Sequence, residues 1–230
     1  MSETTVPIHV GLIMDGNRRW AKEQGLLALA GHEKGMQTLV DVSLHGFENG
    51  VQYISAYAFS TENWSRTQEE VSYLMGLILK GVERYLDIFH EAGIKIVFLG
   101  SREGVSEPVI KAAEKTEERT KNNTNGTLAI CFNYGGKEEI VHAVKQIMEQ
   151  GVKPEEVTAD VIAGALYYPE VPPVDLLIRT SGEQRTSGFM LYRSDYAELL
   201  FIRKHWPDMN KEDFNNALAE YAARKRRFGK

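Results

Sequence analysis

Short apolar segments alternate with longer helical patterns along most of this sequence. Each apolar segment is about as long as a buried β-strand and contains β-branched residues. The apolar segments lie at 8–14, 53–59, 94–99, 128–134, 176–178 and 199–202, and the helical patterns lie at about 33–48, 68–92, 107–122, 137–150, 158–167 and 211–227. Parallel strands need crossover connections, which helices commonly provide. The sequence therefore predicts an α/β fold with a central, mainly parallel sheet of about six strands flanked by helices.

The composition is that of an ordinary globular chain. Its 230 residues are 43% hydrophobic and 26% charged, which suffices for one large core, and no linker-like stretch divides them. We therefore expect one domain over residues 1–230. The formal net charge of −5 argues against nucleic-acid binding, which calls for a strongly basic face.

Two features bear on the cellular location. The first residues lack the basic-then-apolar pattern of a signal peptide, and no apolar run approaches the roughly 20 residues that span a bilayer. Cys131 is the only cysteine, so an intrachain disulfide or a cysteine-based zinc site is ruled out, and we expect a buried, inert thiol. These features predict a cytoplasmic protein.

The first predicted strand ends in the segment MDGNRRW. Asp15 follows the strand, Gly16 permits a tight turn, and a helix is predicted to open at Arg18. In open α/β sheets, ligands bind at the carboxyl ends of strands, where Asp15 would lie. A carboxylate suits a divalent cation, while arginines suit phosphate. An ordinary turn with a capping aspartate is the alternative, but Arg18, Arg19 and Trp20 directly after it favour an anion site.

Two further polar clusters follow predicted strands. The segment STENWSR comes after the second strand, and RTSGEQRTS comes after the fifth. Arg179 and Arg185, with a glycine and hydroxyls between them, can hold an anion through several charge-assisted hydrogen bonds. Each cluster alone could be an ordinary polar loop. Three clusters at three strand ends of one predicted sheet favour a shared ligand-binding edge.

The helical pattern at 68–92 carries an apolar stripe that is wider than one helix face. Thr67 and Glu70 form a capping-box pattern at its start. The stripe is formed by Val71, Leu74, Ile78, Val82, Tyr85 and Phe89, and it is widened by Met75, Leu77 and Leu79. The helix is either buried on two sides, or it packs on the sheet with one face and lines an apolar cavity with another.

Taken together, the three clusters predict an anionic ligand that bears a diphosphate, with a cation near Asp15. The apolar residues between the clusters allow a ligand with an apolar tail. The sequence has no Walker loop, GxGxxG turn or HExxH pair, which weighs against nucleoside triphosphates, dinucleotides and zinc-peptidase chemistry. It also lacks a DDxxD motif, which disfavours a trans-type prenyl synthase.

Seven motifs carry a resemblance to a known family: HVGLIMDGNRRWA, GH, YAFSTENWSR, FNYGG, DLLIRTSGEQRTS, YAEL and RRFG, in this order between about residues 8 and 229. In these motifs the chain resembles the cis-prenyltransferases, of which undecaprenyl diphosphate synthase is the best-known member. The resemblance implies a hydrophobic tunnel and a homodimer, with the ending Arg226 to Gly229 lying toward the partner subunit. It implies Mg²⁺-dependent condensation of isopentenyl diphosphate with an allylic diphosphate, forming new double bonds in cis.

The product implied by the resemblance is a Z-polyprenyl diphosphate of the undecaprenyl type, which is a precursor of the cell-wall lipid carrier. Such a product also implies a transient contact with a membrane surface when it is released. Neither the length of the product nor the preferred primer follows from the sequence.

The resemblance implies roles for individual residues. Asp15 would hold Mg²⁺ and the leaving diphosphate, and His32 would hydrogen-bond the phosphates and assist their departure. Asn63 would help to remove a proton from isopentenyl diphosphate, although an amide is a poor base and the diphosphate itself could take the proton. The residues that would bind the allylic diphosphate or shape the reacting centre are Gly16, Asn17, Arg18, Arg19, Trp20, Ser60, Thr61, Glu62, Trp64 and Arg66. Those that would bind isopentenyl diphosphate are Arg179, Arg185, Thr186 and Ser187, with Glu198 as a second Mg²⁺ ligand.

The chain departs from the family pattern at two positions. Ala28 stands where relatives usually carry an arginine, so one phosphate-binding cation is missing, and Gln184 stands where some relatives have histidine. The alternative function is therefore a non-catalytic family member that acts as a partner subunit or binds a prenyl lipid. A phosphatase with Asp15 as nucleophile would need a second aspartate two residues further on, where the sequence has Asn17.

Overall fold

Six parallel strands form one sheet in the computed structural model, which describes residues 6–224. In chain order they are β1 (His9–Ile13), β2 (Tyr53–Ser60), β3 (Ile94–Leu99), β4 (Gly126–Tyr134), β5 (Leu176–Arg179) and β6 (Glu198–Phe201). The α-helices are α1 (Asn17–Glu23), α2 (Ala28–Glu48), α3 (Gln68–Glu91), α4 (Glu107–Thr120), α5 (Gly136–Glu149), α6 (Ala159–Gly164) and α7 (Lys211–Ala223). Short 3₁₀ helices lie at Thr61–Ser65, Pro154–Glu156 and Trp206–Asp208. The predicted α/β class and parallel sheet are confirmed.

The order of the strands across the sheet is β3-β4-β2-β1-β5-β6, with every neighbouring pair parallel. The chain first builds the sheet on one side of β1 and then crosses to the other side for β5 and β6. The direction of winding thus reverses at β1. A reversal of this kind opens a crevice at the carboxyl end of the central strand, where α/β proteins bind their ligands.

Apolar side chains fill both faces of the sheet because successive residues of a strand point to opposite sides. Leu176 and Ile178 of β5 belong to the core beneath α2, α3 and α7, whereas Leu177 between them belongs to the core on the other face. Cys131 is buried in this second core, where burial raises the pKa of its thiol, in keeping with an inert residue.

Helix α2 begins earlier than the sequence pattern predicts, at Ala28 rather than at residue 33. Gly31 lies inside the helix, where α2 crosses α1. A Cβ on Gly31 would lie 2.0 Å from the backbone oxygen of Asn17, so glycine allows the two backbones to meet. Helix α6 is shorter than predicted, and the predicted end of the last helix, residues 225–227, lies outside the described residues.

Candidate active site

The turn between β1 and α1 places Asp15 at the carboxyl end of the central strand. Gly16 in this turn has a φ of 102°, a backbone conformation that favours glycine, and its N–H donates to Asp15 Oδ1 at 2.7 Å. The backbone oxygen of Asp15 accepts from Thr180 Oγ1 at 2.7 Å and from the Trp206 N–H at 3.0 Å. The segments after β5 and β6 therefore hold Asp15 in place.

Two arginines contact the carboxylate of Asp15. Arg179 Nη2 lies 2.9 Å from Oδ2, and Arg19 Nη2 lies 3.1 Å from Oδ1. Burial alone would raise the pKa of Asp15, but the hydrogen bond and charge of Arg179, reinforced by Arg19, outweigh it and lower the pKa below its usual value. Asp15 is therefore ionised at neutral pH.

Arg179 also organises the loop that follows β5. Its Nη1 donates to the backbone oxygen of Arg185 at 2.7 Å and to Ser187 Oγ at 2.9 Å. Thr186 lies between these two partners, and its carbonyl accepts from the Phe189 N–H at 3.0 Å. The structure thus brings Asp15 together with the residues predicted to bind isopentenyl diphosphate.

Glu183 in the same loop is a charged residue that the sequence analysis did not single out. It lies 3.5 Å from Arg19 and forms a short ion pair with Arg185. In this arrangement Glu183 holds the two guanidinium groups near each other in place of an anion.

The 3₁₀ helix after β2 carries the second predicted cluster. The Ser60 N–H donates to Asn63 Oδ1 at 3.0 Å, and the Ser60 side chain accepts from the Asn63 N–H, so the two residues form a capping box. This bond engages the oxygen of the Asn63 amide and leaves its NH₂ group as the end that can donate to a ligand. Trp64 Nε1 donates to Asn133 Oδ1 at 2.7 Å. Thr61 and Glu62 belong to the same 3₁₀ helix.

Glu70, in the first turn of α3, joins the two clusters. Its carboxylate lies 2.6 Å from Arg66 and 3.4 Å from Arg18. The arginines in this group of ion pairs outnumber the acids by five to three: Arg18, Arg19, Arg66, Arg179 and Arg185 against Asp15, Glu70 and Glu183. The excess of positive charge is that expected of a site for a multiply charged anion.

Two buried polar atoms at this site have no hydrogen-bond partner among the described residues. They are Nε2 of His32 and Oδ1 of Asn17. Burial, together with the positive charge of Arg66, lowers the pKa of His32 to about 4, so its imidazole is neutral at pH 7. Because a buried polar atom without a partner is costly, both atoms point to a bound ligand or water at this position.

Two predicted site residues have their polar atoms engaged by residues outside this cluster. Trp20 Nε1 donates to Asp208 Oδ1 at 2.6 Å, so its polar atom is engaged by the 3₁₀ helix after β6. Glu198 is the first residue of β6 and lies opposite Leu176 of β5, which is three residues before Arg179. Its carboxylate forms an ion pair with Arg224 at 2.9 Å. At about 3.3 Å per residue, roughly 10 Å of strand separates Leu176 from Arg179. The role of Glu198 as a metal ligand stays a prediction.

An apolar cavity of about 230 Å³ opens next to these polar residues, between the sheet and helices α2 and α3. Asn17, His32, Asn63 and Arg66 line one part of it. The rest of its lining is mostly apolar and includes Met36, Leu39, Leu77, Ile78, Val82, Tyr85, Leu86, Phe89, Ile96, Leu128 and Ile130. Helix α3 therefore packs on the sheet and also lines a cavity, which is the second of the two interpretations of its wide stripe.

The sequence patterns did not reveal several residues that organise the site. Thr180, Trp206 and Asp208 act through backbone contacts or through another side chain, which leaves no chemical signature in a motif. Glu70 was noticed only as a helix cap, and Thr67 does accept from its N–H at 3.3 Å. The ion pair of Glu70 with Arg66 could have been predicted, because a carboxylate four residues after an arginine at the start of a helix can reach it.

These features define a class of protein: an α/β protein with an arginine-rich anion site at the carboxyl end of its sheet, open to an apolar cavity. Comparisons with known proteins identify the family. Residues 13–229 match the family model described as "Putative undecaprenyl diphosphate synthase". The isoprenyl transferase of Thermotoga maritima is 44% identical over 226 residues, which is 97% of both chains. The decaprenyl diphosphate synthase of Mycobacterium tuberculosis is 43% identical over 97% of this chain and 77% of its own length.

Solved structures agree with this result. Lavandulyl diphosphate synthase from Lavandula x intermedia, in complex with dimethylallyl diphosphate, superimposes with a TM-score of 0.93 at 29% identity, covering 98% of this chain and 99% of that one. A probable undecaprenyl diphosphate synthase from Campylobacter jejuni gives a TM-score of 0.84 at 26% identity, covering 98% and 100%. The chain belongs to the undecaprenyl diphosphate synthase family of cis-prenyltransferases, and the predicted membership is confirmed.

Proposed function

We propose that this protein condenses isopentenyl diphosphate with an allylic diphosphate primer and releases a Z-polyprenyl diphosphate. The observation that carries the proposal is the continuity of two unlike surfaces. Asn17, His32, Asn63 and Arg66 line the same cavity as a large set of apolar side chains. A molecule with a diphosphate head and a prenyl tail has matching chemistry at its two ends.

The two diphosphates would occupy neighbouring parts of the site. Arg18 and Arg19 would hold the allylic diphosphate, with its prenyl chain in the cavity. The Asn17 amide already donates to the Met14 backbone oxygen at 3.1 Å, so only its acceptor oxygen is free among the described residues. Arg185 and Ser187 would hold isopentenyl diphosphate, with Arg179 fixing their loop. Binding would replace the ion pairs that Glu70 and Glu183 make with these arginines, so both acids would move aside when the diphosphates arrive.

The donor chemistry of the site fits Mg²⁺, which binds proteins through one or two carboxylates together with substrate phosphates. Asp15 is ionised, half-buried and adjacent to the arginines that would hold phosphate. Asp15 would hold Mg²⁺, which when bound would supply positive charge that offsets the negative charge developing on the departing diphosphate.

In the proposed reaction the allylic carbon–oxygen bond breaks and the diphosphate departs with the electron pair. The double bond of isopentenyl diphosphate supplies the electrons for the new carbon–carbon bond, and C2 then loses a proton. Arg18 and Arg19 stabilise the charge that develops on the leaving group. Asn63 presents its NH₂ group rather than its oxygen, which favours hydrogen bonding to phosphate, so the departing diphosphate is the better candidate to accept the proton.

We also propose a transient membrane contact during product release. Leu26, Leu27 and Leu29 are exposed at the start of α2, one turn before His32, and Leu27 is 77% exposed. No helix among residues 6–224 is long and apolar enough to cross a membrane. Replacing Leu27 by serine should slow repeated turnover in the presence of lipid vesicles but leave a single turnover unchanged, whereas an equal effect on both would contradict this role.

The undecaprenyl-type length, the cell-wall role and the cytoplasmic location remain parts of this proposal. Mass analysis of the product would test the length. Cell fractionation would test the location, and depletion of the protein in cells should lower the pool of lipid carrier.

The test of the proposed activity uses labelled isopentenyl diphosphate, an allylic primer and Mg²⁺. We expect label in a prenyl diphosphate product, and we expect Asp15→Ala to lower turnover on the order of a thousandfold, because losing a metal ligand costs several kcal/mol of transition-state stabilisation. Asp41→Ala, an exposed aspartate on α2, is the matched control and should retain activity. Product from Asp15→Ala at the normal rate would overturn the role of Asp15. No product from the folded wild-type protein would favour the non-catalytic alternative.

A further inference from the structure

Asn133 adopts a backbone conformation that is unusual for a residue within a strand. It is the penultimate residue of β4, it is buried, and its φ is 48°. Asparagine tolerates this left-handed region better than most residues. The pairing of β2 with β4 shifts register around Phe59, where β2 leads into the 3₁₀ helix at Thr61–Ser65. Asn133 therefore lies next to the point at which the chain leaves the sheet for the candidate active site.

The side chain of Asn133 joins three segments of the chain. Its Nδ2 donates to the backbone oxygens of Ser101 at 2.8 Å and Glu103 at 3.0 Å, in the loop between β3 and α4. Its Oδ1 accepts from Trp64 Nε1 at 2.7 Å. The backbone oxygen of Asn133 also accepts from the Ser101 N–H at 3.1 Å. One amide thus ties the 3₁₀ helix to the end of β4 and to a loop outside the site.

Trp64 does not line the cavity, but its neighbours do. Its ring packs edge-on against Phe59 with centroids 5.4 Å apart, and its Nε1–H bonds to Asn133. Asn63 precedes it, Arg66 follows two residues later, and both line the cavity at its polar part. A displacement of Trp64 would therefore move Asn63 and Arg66, which face the proposed position of the allylic diphosphate.

We propose that Asn133 is a positioning residue. Through its hydrogen bond to Trp64 it fixes the 3₁₀ helix, so that Asn63 and Arg66 lie next to the bound allylic diphosphate. The proposal rests on the proposed function for its substrate, but the contacts it invokes are independent of turnover. Small misplacements of positioning groups can cost on the order of a hundredfold in rate, so an effect on kcat is expected even though Asn133 touches no substrate.

The experiment compares Trp64→Phe with wild type. Phenylalanine retains a ring against Phe59 but lacks the N–H that reaches Asn133, so the fold should be kept. We expect kcat to fall about tenfold or more, with the KM of isopentenyl diphosphate unchanged, because its proposed site lies after β5. The affinity for inorganic pyrophosphate, measured by calorimetry, should also weaken as Arg66 is displaced.

Asn133→Asp provides the second variant and Asn123→Asp its matched control. Asn133→Asp keeps the acceptor for Trp64 but removes the donors to Ser101 and Glu103. It should therefore reproduce the fall in kcat and in pyrophosphate affinity. Asn123 donates to the Ile94 oxygen at 2.8 Å at the amino end of β3, so the same change there should leave kcat and pyrophosphate affinity unaltered.

Trp64→Phe with wild-type kcat and pyrophosphate affinity would overturn the proposal, whether or not Asn133→Asp folds. If the wild-type protein shows no turnover, the proposed function fails, and pyrophosphate affinity alone decides the positioning role. A melting temperature lowered equally by all three variants, with kcat and affinity intact, would mean a purely structural role and would also overturn it.

Discussion

His32 is the residue whose state should respond most clearly to a bound diphosphate. Its imidazole lies near Arg66 and Arg18, and Nε2 has no partner among residues 6–224. Burial and these positive charges favour the neutral form and lower the pKa to about 4. An anion placed beside the imidazole would favour the charged form and would offer the missing partner.

We therefore predict that inorganic pyrophosphate raises the pKa of His32. Nuclear magnetic resonance of the histidine ring protons, followed against pH, would measure the shift. His9 is the matched control, because burial also lowers its pKa to about 4, yet its ring contacts Pro172 and Ser55 on the other side of the sheet. A His32 titration that is unchanged by saturating pyrophosphate would contradict its placement at the diphosphate.

At the scale of elements, the turn from β1 into α1 is the most constrained part of the site. A Cβ on Gly16 would lie 2.6 Å from His205 Nδ1 and 2.7 Å from Ser181 Oγ. These two atoms are themselves hydrogen-bonded at 2.7 Å, and His205 Nε2 lies 3.1 Å from Glu23. The turn therefore has no room for a side chain.

Gly16→Ala should destabilise the protein and lower turnover, because the turn that carries Asp15 must shift. Gly25→Ala is the matched control: Gly25 also has a positive φ, but nothing lies within 4 Å of its Cβ position. Both changes carry about 1–2 kcal/mol of backbone strain, and only Gly16→Ala adds crowding of about 1–3 kcal/mol. Urea unfolding of the two variants measures the difference, and equal losses of stability would contradict the crowding.

The elements also show how far the sequence alone could lead. All six strands were predictable, and so were the three polar clusters that follow strands, because a buried strand followed by a polar turn has a clear sequence pattern. The order of the strands was not, since pairing depends on contacts between distant segments. The start of α2 at Ala28 was not predicted either, because the sequence does not show that Gly31 lies against the backbone of α1. Glu198 was placed by resemblance, but its level on β6 depends on the register with β5.

At the scale of the whole molecule, an apolar stripe is exposed on α5. Val141, Val144 and Met148 recur at helical spacing on the surface, and Met148 is 73% exposed. Stripes of this kind often pack against another chain. The ending at Arg226 to Gly229, which the family resemblance directs toward a partner, lies outside the described residues.

We predict a homodimer in which α5 contributes to the interface, as two-fold dimers are the commonest assembly. Light scattering at micromolar concentration should give about twice the chain mass of 26.0 kDa. Val144→Glu should shift the protein toward monomer, whereas Val157→Glu, at a similarly exposed site outside the stripe, should not. A fully active wild-type monomer would refute the prediction.

The proposed function requires that the diphosphate head stay among the arginines while the prenyl chain grows into the cavity beneath α3. Val82 lines that cavity, whereas Glu83, the next residue of the same helix, is exposed. The most direct test is the mass distribution of products made from one primer and excess isopentenyl diphosphate by Val82→Trp and by Glu83→Trp. We predict shorter products from Val82→Trp, with the first condensation still occurring, and wild-type lengths from Glu83→Trp. Wild-type lengths from a folded, active Val82→Trp would show that the chain grows elsewhere.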